Sequence, residues 1–462
     1  MSDYSDELYI SCLFPPSDNI SGITVLKRII ENKKQVDVLH ADSNSDINLA
    51  LSNEADKFIK NRFIMELNCN FDWADCIFDV INEAISLINH DYEKVYSRSW
   101  LMANHFIALE YKFLSPDVFW QAEFSDPLIY DLSNNVKTYK EMIIDNKEYV
   151  EKINAHIDDY NDKFNTDFPL IENKTSLFFI CEYLTYLFAD KIIFTNENQR
   201  EIMLNQFPIE IKQHVINKTE IKPHPTLPEE YYYLHEADID LDENYINIAY
   251  FGNDYYGKRH FESIFYAFEN LNHRYLDKVK FYFYLSDEKP LKLLINTLDS
   301  SDNFIFKKPL GYIEFLNACT QFDVLLVNDT VTKGDFEINP YLPSKLSDYS
   351  GSNSDIWAMY ECGSSLSKRN VKYKSEITDF KDCSEELVKI LHDFGFVDEN
   401  YTINDDKDYV YKRLTKLNEL YEAEFRRKEN FKSKVKGLKK INDDVMSSNS
   451  WRLTEPLRRL RK

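Results

Sequence analysis

The sequence predicts an α/β protein of two facing, doubly wound domains followed by a C-terminal helical tail. Three observations carry this expectation. Short runs of branched and aromatic residues alternate with stretches of helical period over most of the chain, the pattern of parallel strands covered by helices. The alternation breaks once, at residues 222–228 (KPHPTLP), where three prolines leave neither period. Beyond about residue 408 it gives way to a long charged helix. A chain of 462 residues exceeds one ordinary domain. The expected divisions are 1–228, 229–407 and 408–462.

Composition narrows the function classes. A net charge of -23 argues against a general nucleic-acid binder. No apolar run approaches the ~18 residues needed to span a bilayer. The acidic start, MSDYSDELYI, has no secretory pattern. Seven cysteines, at 12, 69, 76, 181, 319, 362 and 383, show no metal spacing. They read as reduced thiols of a cytoplasmic protein. Only 9 residues are glycine, so each marks a place where the backbone needs one.

The first domain opens as a βαβ unit. Residues 7–13 are strand-like, 23–30 helical and 35–39 a second strand, with Gly22 at the first connection. The unit lacks G-x-G-x-x-G, so no dinucleotide is inferred. Helix 73–88 places Ile77, Val80, Ile81, Ala84, Ile85 and Ile88 on one side. Strand 94–97, helix 101–113 and strand 117–124 follow, the last ending in Ser125-Asp126-Pro127. Ligands of open α/β sheets bind at the carboxyl ends of strands. Asp126 therefore either acts there or caps the segment that Pro127 interrupts. Residues 137–163 read as a charged helix, 176–188 as an apolar one, 191–195 as a strand and 197–205 as a further helix.

The second domain begins with strand 246–251, which Gly252 ends. A polar turn, Gly257, Lys258 and Arg259 come next. Phe261, Ile264, Phe265, Phe268 and Leu271 then recur at helical spacing. A helix N-terminus favours an anion through its free N–H groups and its dipole. Two adjacent cations repel each other there unless an anion sits between them; the alternative is a solvated surface pair. Strands at 279–285, 304–306, 323–328 and 355–360 alternate with helices at 291–298 and 311–320. The loop 329–343 leads into a helix start at Ser344-Lys345-Leu346-Ser347-Asp348-Tyr349.

Four stretches resemble the GT-B glycosyltransferases, in particular the family 4 type of cell-surface polysaccharide synthesis. They are residues 189–200 (ADKIIFTNENQR), Tyr250-Phe251-Gly252 through Gly257-Lys258-Arg259, residues 339–349 (NPYLPSKLSDY) and residues 448–458 (SNSWRLTEPLR). The resemblance implies two Rossmann-like domains with the nucleotide sugar held mainly by the second. It implies that Gly252, Asn253, Gly257, Lys345 and Asp348 line the donor site, with Asp348 on the ribose hydroxyls. It casts Lys258 and Arg259 as stabilisers of the leaving diphosphate, without a metal or other cofactor. Asp126 faces them from the first domain. The family's paired acids lie eight positions apart; the first falls on Pro340, and Glu337 is the nearby substitute. The position after the first glycine, often basic in the family, is Asn253. The implied partners are a nucleotide-diphosphate sugar and a glycan or lipid-linked acceptor. A non-catalytic GT-B subunit and a sugar-nucleotide epimerase are the competing readings.

The tail stands apart. Residues 426–462 hold 13 Lys/Arg against 4 Asp/Glu, a net +9 on a remainder of -32. Trp451, Leu453, Leu457 and Leu460 are interleaved with Arg452, Arg458, Arg459 and Arg461. Such a segment docks on anionic lipid as a peripheral membrane contact, folds back on its own acidic body, or fits a partner's acidic groove.

Overall fold

A computed structural model describes residues 4–42, 47–66, 76–137, 139, 142–253, 258–398 and 400–403, with scattered helical positions beyond 411. Most of the tail, including its basic segment apart from Arg427, and Gly257 lie outside the described residues.

Seven parallel strands form the first sheet: β1 (Glu7–Ile10), β2 (Val36–Ala41), β3 (Ile59–Met65), β4 (Lys94–Ser99), β5 (Phe119–Phe124), β6 (Lys191–Phe194) and β7 (Thr219–Ile221), in the order β3-β2-β1-β4-β5-β6-β7. Six parallel strands form the second: β8 (Ile246–Phe251), β9 (Val279–Tyr284), β10 (Phe304–Lys307), β11 (Val324–Asn328), β12 (Asp355–Tyr360) and β13 (Tyr373–Glu376), in the order β10-β9-β8-β11-β12-β13. The strand order reverses between β1 and β4 and again between β8 and β11. Such reversals open a crevice at the carboxyl ends of the strands.

The strands form where the sequence is richest in residues that fit a buried pleat. β8 is INIAYF and β9 is VKFYFY, and β8 is buried along its whole length. Three strands depart from the sequence expectation, β3, β7 and the edge strand β13, whose four residues are YKSE. β3 is an edge strand carrying Lys60, Asn61 and Arg62, so it shows no apolar run. β7 and the helix Ile209–Ile216 lie where the sequence pattern loosens. The charged helix begins at Lys147 rather than near 137 and ends at Phe164; Asn146 caps it, accepting from the Tyr149 N–H at 3.0 Å.

Helix Ile20–Asn32 sits between the halves. Every residue from Ser21 to Ile30 is buried, so this helix has almost no wet face. Asn19 caps its start by accepting from the Ser21 N–H at 2.9 Å. Gly22 allows its close approach to the loop after β1. A Cβ there would lie 1.9 Å from the Leu13 carbonyl oxygen, a separation no side chain tolerates. One apolar cluster runs across both halves, joining Tyr9, Ile23, Leu26 and Tyr96 to Phe251, Tyr312, Phe315 and Tyr349. Polar contacts cross as well. Asn196 Nδ2 donates to the Pro340 carbonyl and Asn198 Nδ2 to the Asn339 carbonyl, both at 3.0 Å.

Candidate functional site

A cavity of about 680 Å³ opens at the β8/β11 switch point. Tyr250, Phe251 and Gly252 at the end of β8 form one side, and Leu326, Val327 and Asn328 at the end of β11 form the other. Asp18, Asn19 and Ile20, at the start of the buried helix, close it from the first half. Its volume suits a drug-sized or nucleotide-sized ligand.

Gly252 belongs here because its backbone turns tightly past Tyr250: a Cβ would sit 3.0 Å from the Tyr250 hydroxyl oxygen. That hydroxyl donates to the Asn253 carbonyl at 3.0 Å. The Asn253 side chain accepts from the Ser286 hydroxyl at 2.5 Å. Both asparagine and serine line the cavity. Arg259 lines it too, and its guanidinium donates to the Asn328 carbonyl. Asn328 returns the bond, Nδ2 to the Arg259 carbonyl at 2.6 Å. Asn328 is 1% exposed, and its Oδ1 is buried without a hydrogen-bond partner. Lys345 and Ser344 complete the polar lining. The Lys345 ammonium lies 3.8 Å from the Phe315 ring centroid, a cation–π contact that fixes it at the wall. Two cations thus share one cavity, an arrangement suited to an anion.

The structure redistributes the sequence-expected residues. Lys258 does not join Arg259 in the lining; its ammonium pairs with Asp335. Nor do the two cations start a helix, since helix Glu262–Asn270 begins three residues past Arg259. Glu337 lies in a separate hollow of about 160 Å³ with Lys333, Glu361 and Glu376, at the ends of β11–β13. That hollow shares no lining residue with the larger cavity.

Asp348 also moves. It is 1% exposed and pairs at 2.9 Å with the Lys27 ammonium, itself 3% exposed. The Tyr312 hydroxyl donates to the same carboxylate oxygen at 2.8 Å, and the Tyr232 hydroxyl to the Asp348 carbonyl. Burial pulls the Lys27 ammonium below its ordinary range, and Asp348 pulls it back up. The carboxylate expected on a ribose is instead buried in an ion pair between the halves, one helical turn beneath the Lys345 that lines the cavity.

Asp126 follows β5 and is open to water, yet the mass of protein around it desolvates its carboxyl and raises it above the usual range; Arg98 and Lys137 oppose that shift. Tyr341 of the second half lies close enough for Asp126 to act on its phenol. Asp126 does not line the large cavity. Glu182 holds the loop that follows. Its Oε1 accepts from the N–H groups of Leu128 and Ile129 at 2.8 and 3.1 Å. Below, Glu123 accepts from Arg28, Arg98 and the Tyr96 hydroxyl. Burial raises the Glu123 carboxyl, but the two guanidiniums outweigh it and hold it at about 2. Sequence reasoning missed Lys27, Arg28, Glu123 and Asn328. Only Lys27-Arg28, two cations inside an otherwise apolar helix, left a sequence signal. Among the described residues no group of three or more His, Cys, Asp or Glu side chains is arranged to hold a metal.

No protein-family model and no curated protein sequence matches the chain. Solved structures do match in fold. Sucrose-phosphate synthase from Thermosynechococcus elongatus aligns at 11% identity with a TM-score of 0.54, covering 92% of this chain and 99% of that one. A trehalose-6-phosphate synthase aligns at 9% identity and 0.52, covering 94% and 99%. An Escherichia coli protein bound with UDP-2-fluoro glucose aligns at 10% and 0.52, covering 91% and 98%. With its two all-parallel sheets, the chain has the two-domain GT-B fold.

The buried pair yields a prediction. Removing one partner of such a pair leaves an uncompensated charge and costs about 3–5 kcal/mol, whereas an apolar replacement of both is close to neutral. Urea denaturation of Lys27→Met should show a loss of that size, and Lys27→Met/Asp348→Leu should recover most of it. A single variant as stable as the parent would contradict the burial of the pair.

Proposed function

We propose that this protein is a glycosyltransferase that moves a sugar from a nucleotide-sugar donor to a surface-glycan or lipid-linked acceptor in polysaccharide biosynthesis. The observation that carries the reading is the cavity at the β8/β11 switch point, where Arg259 and Lys345 face a space of about 680 Å³. The fold likeness supports it, because one of the aligned proteins is bound with UDP-2-fluoro glucose. Nucleotide sugars carry a diphosphate, and breaking the sugar–phosphate bond leaves negative charge on it. Preorganised cations at that point stabilise the transition state more than the ground state. Gly252 lets the diphosphate approach the backbone, and Arg259 and Lys345 take its charge. Asp126, at the carboxyl end of β5 with a raised carboxyl, acts on the acceptor or the donor sugar from outside the cavity lining. The reading treats the nucleotide sugar as substrate and invokes no further cofactor.

One observation favours a second reading, a non-catalytic GT-B subunit that binds a partner transferase or an acceptor. Neither Glu337 nor Asp348, the acids expected on the donor, lines the cavity. Turnover separates the two readings. The basic tail adds a membrane role: at about 1 kcal/mol per cation near an anionic surface, residues 426–462 would dock the enzyme beside a lipid-linked acceptor. Among the described residues no helix is long and apolar enough to cross a membrane.

Titration with UDP, GDP and dTDP should find one that binds in the cavity. Arg259→Ala should weaken it by the roughly 1.5–3 kcal/mol of a charged hydrogen bond, and lower donor turnover roughly 100-fold or more. Lys258→Ala should do far less, since that side chain serves Asp335. Equal losses from the two variants, or none from Arg259→Ala, would refute the assignment. For the tail, full-length protein should co-sediment with anionic vesicles at low salt and a chain ending before Met446 much less; equal sedimentation would refute the membrane role.

A further inference from the structure

Among the described residues a single carboxylate lines the large cavity, that of Asp18 from the first half. The roles given above to Arg259, Lys345 and Asp126 do not use it. The loop that carries it is firmly held. The Asn48 N–H donates to the Pro16 carbonyl at 2.8 Å, and Ser17 forms an antiparallel bridge with Ile47. Asn48 Oδ1 accepts from the Leu51 N–H at 3.0 Å, which caps helix Leu49–Asp56 and sets the orientation of the amide. Its Nδ2 then donates to Asp18 Oδ2 at 3.3 Å. Asn19, the next residue, caps the buried helix. Asp18 is partly buried between two helix starts, so its carboxylate is held in place before any ligand arrives.

Gly311 shows where along the cavity that carboxylate lies. A Cβ at Gly311 would be 3.8 Å from Asp18 Oδ2. Gly311 follows Pro309 and Leu310, which line the cavity just past the end of β10. The adjoining end of β9 supplies Tyr284 and Ser286. Arg259 belongs to the opposite end, bonded to the Asn328 carbonyl at the end of β11. In the order β10-β9-β8-β11 these two ends are three strand spacings apart, about 14 Å at the ordinary spacing. An extended nucleoside diphosphate has a comparable length. With its diphosphate at Gly252 and Arg259, its base falls beside Tyr284, Pro309, Leu310 and Asp18. Charge favours the same direction, because a carboxylate repels a diphosphate and is best tolerated at the far end of the nucleotide. Other acids nearby are committed. Asp348 holds Lys27, and the Glu361 carboxylate accepts from Thr332 N and Oγ1, Lys333 N and Asn339 Nδ2.

We propose that Asp18 reads the base of the donor nucleotide and that this base is guanine. The proposal rests on the donor reading of the cavity. An ionised carboxylate only accepts hydrogen bonds, so it selects a base edge made of donors. Guanine presents two parallel donors on one edge, N1–H and the N2 amino group. A carboxylate accepts both at once, in the paired, charge-assisted geometry that is strongest. Uracil and thymine present one N3–H flanked by two carbonyl oxygens, which the carboxylate repels. Adenine and cytosine present one amino group beside a ring nitrogen that is itself an acceptor. A site built around such a pair rejects an analogue that lacks one of the donors. Asp18 touches the base and not the reacting bond, so it determines specificity.

The test is calorimetric titration of the full-length protein and of Asp18→Asn with GDP, inosine diphosphate, UDP and inorganic pyrophosphate. Inosine diphosphate keeps N1–H and lacks the N2 amino group. The parent should bind GDP roughly tenfold or more tighter than UDP, with inosine diphosphate between them. Asp18→Asn should lose roughly tenfold or more in GDP affinity and most of the preference for GDP over inosine diphosphate. It should keep its affinity for UDP, because a carboxamide offers one donor and one acceptor to the uracil edge. Pyrophosphate should bind the variant at least as tightly as the parent, since a negative charge has left the cavity. A parent that binds UDP or inosine diphosphate as tightly as GDP overturns the proposal and leaves the donor reading intact. That comparison decides even if Asp18→Asn fails to fold. Unchanged GDP affinity in the variant, or equal losses for GDP and UDP, also overturns it; the second would assign Asp18 to the ribose or to the fold. If no nucleotide binds, the donor reading falls and the base assignment falls with it.

Discussion

Lys27 and Arg28 lie side by side on a helix with almost no exposed face, and each must find a partner inside the protein. An unpaired buried charge costs several kcal/mol, so the two side chains leave the fold little freedom. Lys27 reaches Asp348 in the second half, and Arg28 reaches Glu123 in the first. Adjacent residues of one helix are therefore bound to opposite halves. The start of this helix, Asn19 and Ile20, forms a wall of the cavity. Ser344 and Lys345, one turn before Asp348, form part of the facing wall. The cleft geometry is set by ion pairs that do not line the cavity.

The same constraint explains where the acids of the site went. A carboxylate at 348 is required to neutralise Lys27, so it is taken up by the interface. Glu361 is similarly committed, since its four donors tie the loop 330–339 to the end of β12. What remains for a ligand is a set of cations, backbone groups, the Asn253 and Ser286 side chains, and Asp18 from the first half. Such a surface recognises charge and approach distance more than it recognises any one hydroxyl pattern.

The architecture was largely legible in the sequence because parallel sheets write themselves as apolar runs. The run 246–251 is β8, and the reversal beside it locates the crevice. Elements without such a run stayed hidden: β3 for its polar edge residues, β7 for its three half-buried ones. The site was less legible. Lys258 and Arg259 are indistinguishable by composition, and their roles diverge only because Asp335 is brought beside Lys258 from 77 residues away. Lys27 and Asp348 are 321 residues apart, beyond any local period or spacing. Asp126 could be placed at a strand end, since that position follows from β5 alone. Its raised carboxyl could not, because it depends on how the protein packs around that position.

The central claim is that the crevice between Gly252 and Ser344-Lys345 holds the diphosphate of a nucleotide sugar. A crystal structure of the protein with its tightest-binding nucleoside diphosphate tests it most directly. The account predicts the diphosphate between the Gly252 backbone and Lys345, in contact with the Arg259 guanidinium, with Lys27 and Asp348 still paired beneath it. A nucleotide seated in the smaller hollow beside Glu337, or one bonded to an Asp348 that has left Lys27, would contradict it.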